Sequence, residues 1–406
     1  MRRFIPKPLA AALSLTMAAT FGAVAAAASD PEAALSRLDA ATPEYFENLG
    51  VRAGPLTLSG AGGLALGYDS NVYATDDAQE SALSRAQLAL RLDHDSSARK
   101  FAALLFGEAR RYEDAEDQDA SEFGLATRYT AIATSRDEAE LWLSGQRRVE
   151  RRTEIETPIA LARSRYDELR AGARHVHTFN RLSLGARAEA QRLEYAADSQ
   201  TFRDRDSLRG ELRTAYAFDS ELAGFLSLAF NRDEFDPSST LVSADTASAL
   251  LGVSIELNEL LDLELGAGAF ERRFDGIREP LDGVLVRGAL EWQPTRLSRV
   301  RAELSRSDEP TAVPGAFGKI RNELALEIAH DFSRSVALFA GASSVLDEFD
   351  TGVSDATLWS AEAGATWALG RRSMLRFSYG YGSRSADSLD RDFVRHVASI
   401  SFVGRL

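Results

Sequence analysis

The chain has 406 residues, with 47 Lys and Arg against 61 Asp and Glu, a formal net charge of −14 and no cysteine. That balance excludes a nucleic-acid binder, which needs a basic face, and the absent cysteines exclude a disulfide-held secreted scaffold. No stretch beyond residue 28 is long and apolar enough for a membrane helix, which leaves strands as the route across a bilayer.

Residues 1–28 read as a secretory signal peptide. Arg2, Arg3 and Lys7 form a positive head, an Ala-rich apolar run follows, and Ala26-Ala27-Ala28-Ser29 supplies a cleavage-like site. Cleavage after Ala28 removes three positive charges and no acid, taking the net charge to about −17. Only Lys7, Lys100 and Lys319 are lysines, so nearly all positive charge is arginine, which makes forked pairs with carboxylates. Residues 29–55 form a periplasmic prelude, with one short helix expected around Ala33, Leu35 and Leu38 and breaks at Pro43, Gly50, Gly54 and Pro55.

From Leu56 onward the pattern alternates with period two. In 181–192, Leu182, Leu184, Ala186, Ala188 and Ala190 oppose Arg181, Ser183, Arg187, Glu189 and Gln191. The same rhythm runs through eighteen segments: 56–73, 82–93, 100–112, 121–133, 139–149, 164–177, 180–194, 206–218, 221–231, 246–257, 261–274, 281–293, 297–306, 319–332, 336–347, 357–369, 373–384 and 393–406. In 100–112 the run "FAALLF" leaves the phase ambiguous. Connections alternate strictly between short turns and longer polar loops, of which "EDAEDQDA" (113–120) is the most acidic. That loop lacks the glycine and closing glutamate of an EF-hand and reads as solvated, or as a divalent-cation or lipopolysaccharide contact.

This pattern predicts an all-β fold: an up-and-down antiparallel transmembrane β-barrel over 56–406, of about 18 strands, with short periplasmic turns and longer outer loops. Closure leaves no unpaired backbone edge in lipid. Phe218, Trp292, Phe332, Trp367 and Phe402 fall near the short-turn end of the apolar face, and Tyr68, Phe230, Trp359 and Tyr381 near the loop end, as two aromatic girdles should. The last segment, "RHVASISFVGRL", alternates to its end, so Phe402 and Leu406 are read as a terminal-strand signal for barrel-assembly machinery. A barrel of this strand number can hold an aqueous channel. Its candidate lining is Arg170, Arg174, Arg187, Glu189, Arg209, Glu211, Arg213, Arg287, Glu291, Arg301, Glu303, Arg321, Glu323, Glu327 and Arg376, either as cross-strand pairs stiffening the wall or as a wet conduit for polar cargo.

The stretch "GPLTLSGAGGLALGYDSNVY" (54–73) resembles the opening of the putative beta-barrel porin 2 family. The resemblance implies an outer-membrane barrel in a Gram-negative bacterium and, through the export genes that accompany such barrels, a conduit or export partner for exopolysaccharide. Asp69 and Asn71 of this motif are expected at the mouth, as a strand terminus or a ligand contact. Expected partners are outer-membrane lipid and lipopolysaccharide, the assembly machinery and periplasmic polysaccharide-export proteins; nucleic acid is not among them. The alternatives are a general diffusion porin for small solutes, and a plugged structural or adhesive barrel.

Catalytic chemistry is not expected. There is no phosphate loop, no G-x-S-x-G and no H-E-x-x-H. His94 beside Ser96 lies in a short turn, and His175 with His177 lacks a third ligand, so no metal or cofactor is assigned.

Overall fold

A computed structural model describes residues 50–157, 163–236, 239–257, 260–276, 279–313, 315–350, 355–386 and 392–406. The signal peptide and the short helix of the prelude lie outside these residues. The strands are β1 Val51–Ala53, β2 Leu56–Asp69, β3 Ser81–Asp95, β4 Arg99–Tyr112, β5 Ala120–Thr134, β6 Asp137–Val149, β7 Arg165–Phe179, β8 Leu182–Tyr195, β9 Arg205–Ala217, β10 Leu222–Phe235, β11 Ala244–Leu257, β12 Leu261–Phe274, β13 Leu281–Thr295, β14 Ser298–Glu309, β15 Lys319–Ser333, β16 Val336–Phe349, β17 Ala356–Gly370, β18 Ser373–Ala386 and β19 Phe393–Arg405. Each of β2 to β19 pairs antiparallel with its sequence neighbour, and β19 returns to β2, closing a ring of eighteen with β1 as an added strand.

The seam is in register from Val397↔Asp69 to Arg405↔Ala61, and the Leu406 N–H donates to the Gly60 carbonyl at 2.9 Å. That explains an alternating strand at the end of the chain: the last strand completes the ring. β2 begins five residues before its seam with β19, at Leu56. β1 folds back on that overhang, pairing Val51 with Leu58 and Ala53 with Leu56, and so covers an edge that would otherwise stand unpaired. Gly54, at φ 63°, makes the reversal beside Pro55. Three residues carry too little periodicity to mark a strand, which is why 51–53 reads from sequence as part of the prelude.

Connections of two to four residues alternate with connections of six to fifteen around the whole ring. The short turns are locally determined. Asp219 accepts the N–H groups of Glu221 and Leu222, both at 2.8 Å, and Asn180 takes the left-handed conformation at φ 46°. The segment expected over 56–73 stops at Asp69, because Asn71 turns the chain with its side-chain amide, donating to the Thr75 carbonyl at 2.7 Å and the Val394 carbonyl at 3.1 Å.

The large exposed apolar side chains lie on the outer face; Leu64 and Leu66 are each 67% exposed. No helix of the described residues is long and apolar enough to cross a membrane, and the strands cross instead. The phase of "FAALLF" is settled by Leu104, which turns inward onto Ala61, Ala89, Met374 and Val403, while Leu105 faces out. A second apolar cluster lies at the loop end, where Ile155 packs with Ala74, Val313, Val345, Phe349 and Leu358.

Candidate functional site

All fifteen residues proposed as lining stand on the inward-facing set of their strands, alternating with the exposed apolar set. Many make short pairs along the wall. Arg187 meets Glu189 at 2.8 Å, Arg301 meets Glu291 at 3.0 Å, Arg376 meets Glu362 at 3.5 Å, and Arg321 grips Asp347 at 2.7 and 2.8 Å. Arg170 bonds Glu168 at 2.7 Å. Arg213 reaches Glu264 at 2.7 and 3.2 Å and lies 3.8 Å from the Phe225 ring centre. Glu211 accepts from Ser227. Arg174, Arg209, Arg287, Glu303, Glu323 and Glu327 face the same interior. The acceptors Glu168, Glu264, Asp347 and Glu362 were not singled out from sequence, although each is a carboxylate at an inward position of an alternating strand.

The expected mouth residues serve the seam. Asp69 is fully buried and accepts from Arg395 Nε of β19 at 2.9 Å and from its Nη2, and Tyr112 donates to it at 3.3 Å. Asn71 is 1% exposed. Neither is open to a ligand; both tie the last strand to the first. Phe402 pairs with Leu64 across the seam, and Phe402 and Leu406 are both exposed on the outer face. The nine girdle aromatics are likewise all exposed outward. His177 bonds Asp137 at 2.5 Å, with His175 at 3.8 Å from the same oxygen, and among the described residues no group of metal-ligating side chains assembles.

The dominant feature of the interior was not legible as such. The connection between β6 and β7 folds into the ring. Its base is held by Glu150, which pairs with Arg203 at 2.6 and 3.1 Å. Further along it, Glu156 accepts from Lys319 Nζ at 2.7 Å, Thr311 Oγ1 at 3.0 Å and the Ala312 N–H at 3.1 Å. Lys319 opens β15, nine strands from β6 in a ring of eighteen. An ion pair between those positions requires the loop to cross the bore. Ile155 anchors the crossing, 2% exposed in the loop-end cluster, and Arg384 of β18 donates to the Glu154 carbonyl at 3.0 Å.

Two carboxyls in this loop respond oppositely to burial. For Glu156 burial alone would raise the pKa, but the Lys319 ammonium outweighs it and holds the group below the ordinary carboxylate value. For Glu154 burial dominates, Glu150 adds repulsion, and its pKa is pushed up to about 7. Beneath the loop a cavity of about 260 Å3 runs along β15 to β19 and along β3 and β4.

A closed ring with a lipid-facing apolar belt, a charged inner wall and an infolded loop defines a membrane-spanning channel-type barrel. The chain belongs to the putative beta-barrel porin 2 family, whose model matches residues 42–405. Similar solved structures include OccK1 (OpdK) of Pseudomonas aeruginosa, 11% identical with TM-score 0.45, covering 86% of this chain and 99% of that one. A BenF-like porin of Pseudomonas fluorescens Pf-5 is 11% identical with TM-score 0.46, over 86% and 98% of the two chains. OpdL of Pseudomonas aeruginosa is 12% identical with TM-score 0.44, over 87% and 100%. These are distant likenesses, and the family assignment does not depend on them. No curated protein matches the sequence.

Proposed function

We propose that the protein is a bacterial outer-membrane porin for small hydrophilic solutes, narrowed by its own β6–β7 connection. The Glu156–Lys319 pair across the bore carries this reading. A wall of charged and hydroxyl side chains favours water and polar solutes, and a cavity of about 260 Å3 is of small-molecule rather than polymer size. The exopolysaccharide conduit suggested by the family resemblance finds no support in this geometry, since a threaded polymer needs an uninterrupted bore and the loop lies across it. The diffusion-porin alternative fits better. The plugged-barrel alternative shares the observation of the crossing loop and differs in one measurable respect. Reconstituted in planar bilayers, a porin gives discrete conductance steps and lets small sugars swell proteoliposomes. A barrel that inserts, yet is electrically silent and sugar-tight, is a plugged scaffold instead.

A further inference from the structure

The cavity under the crossing loop is lined by seven arginines and four glutamates, with no lysine or aspartate. Two of those glutamates are already engaged by lining arginines. Glu108 takes Arg110 at 2.7 Å, and Glu362 takes Arg376 at 3.5 Å. A third, Glu327, stands opposite Arg301 in register. Two of the arginines brought by the loop, Arg151 and Arg163, make no direct ion pair among the described residues. Arg151 has no side-chain hydrogen bond or ion pair among the described residues, and its Nε is buried without a partner. Arg163 donates to two neutral acceptors, the backbone carbonyls of Glu150, at 3.1 Å, and of Gln118. Burial and the nearby Arg110 depress both guanidinium pKa values, that of Arg163 to about 10. Glu122, and for Arg151 also Glu108, act against that depression without pairing directly with either guanidinium, so the crowded, desolvated cations are under-compensated, and a planar oxyanion supplies further counter-charge with matching fork geometry.

We propose that this cavity is a binding site for small solutes bearing a carboxylate or phosphate, held by Arg151 and Arg163 at the loop and passed along the hydroxyl wall of β16 to β19. Ser343 and Ser360 bond each other at 2.7 Å, and Ser378 and Ser399 at 2.9 Å; these hydroxyls offer exchangeable hydrogen bonds below the arginines. Glu323 on β15 faces the same cavity and repels the anionic end, so a solute enters with its anionic group toward the loop and its neutral part toward β15. The inference rests on the porin reading for its transport meaning, while the site itself is a matter of binding.

Two measurements separate them. In planar bilayers under an about tenfold KCl gradient, the wild type should show chloride permeability above that of potassium. The Arg151→Glu/Arg163→Glu double variant should lose that preference by about threefold or more while still conducting. An Arg273→Gln control on the exposed outer face should keep it. Calorimetry on the detergent-solubilised barrel then titrates succinate and inorganic phosphate separately, with a sodium-for-potassium exchange as the blank. Both anions, or the one that is the true ligand, should bind the wild type and bind the double variant several-fold more weakly. A silent channel that still binds succinate or phosphate overturns the porin reading and leaves the site standing. A conducting channel with no anion preference, or anion binding unchanged in the double variant, overturns the site.

Discussion

Lys319 is one of three lysines in the chain, and it sits among three carboxylates: Glu156 at 2.7 Å, Asp347 at 3.1 Å and Glu309 at 3.6 Å. Removing one partner of a buried ion pair leaves the other uncompensated, at a cost of ~3–5 kcal/mol. Glu156→Ala should therefore free the loop from the far wall, and single-channel records should show larger and noisier open levels; unchanged traces would remove the loop from the conduction path. The pH dependence follows from the two loop carboxyls. The depressed Glu156 contributes above its ordinary pKa of about 4.3 and is lost as the pH falls through its lower folded value. The raised Glu154 works in the opposite sense: its contribution is full below about 4.3 and gone once the pH has risen past its folded value of about 7. The loop is held most firmly in mildly acidic solution, so open-channel noise should grow between about pH 5 and 8. Glu154→Gln should flatten that rise, and a wild type whose noise does not change over the range would contradict the assignment. A packing test lies on β7. A Cβ added at Gly172 would fall 2.1 Å from Trp142 Cζ2, and Arg187 lies 4.8 Å from that same indole. Gly172→Ala should cost ~1–3 kcal/mol, read as a lower temperature for the loss of the compact gel band.

At the scale of the element, alternation explains both why strands form and what each face meets. Leu212 of β9 is 63% exposed on the outer side, between inward-facing Glu211 and Arg213. Leu212→Arg should cost ~2–4 kcal/mol near the bilayer midplane, measured by urea-dependent folding into lipid vesicles, whereas Ala215→Arg, pointing inward, should cost much less. Equal penalties would mean that the two faces have been exchanged. This element-level logic is what the sequence made most legible. Period two survives in a single chain because one side chain of each adjacent pair must meet lipid and the other water. Strand limits were less legible where side chains override the rhythm, as at Asn71, and phase was lost at "FAALLF", where an inward Leu104 packs on the apolar inner wall near Met374. The infolded loop was hidden for another reason. "RRTEIETP" (151–158) reads as an ordinary polar connection, and its partners Lys319, Arg203 and Arg384 are distant in sequence. A local clue is Ile155, an apolar side chain set between Glu154 and Glu156.

At the scale of the whole molecule, closure of the ring holds the fold, with the apolar clusters as local supports. Backbone pairing around eighteen strands satisfies every neighbour only if β19 meets β2, and the Asp69–Arg395 pair secures that seam from the inside. The crossing loop then ties walls nine strands apart through Glu156 and Lys319. Closure can be tested directly, because the chain has no cysteine to confuse the result. Ala65 and Ser401 are partners across the seam, and Ser378 and Ser399 are partners between β18 and β19, a pairing that an open sheet would also possess. Directly opposed residues in antiparallel strands are close enough for a disulfide. Mild oxidation of the folded A65C/S401C variant should link the two positions, shifting the heat-denatured band on a gel in a manner reversed by reductant, as should S378C/S399C. If the second pair cross-links and the first does not, the sheet is open and the barrel account is wrong.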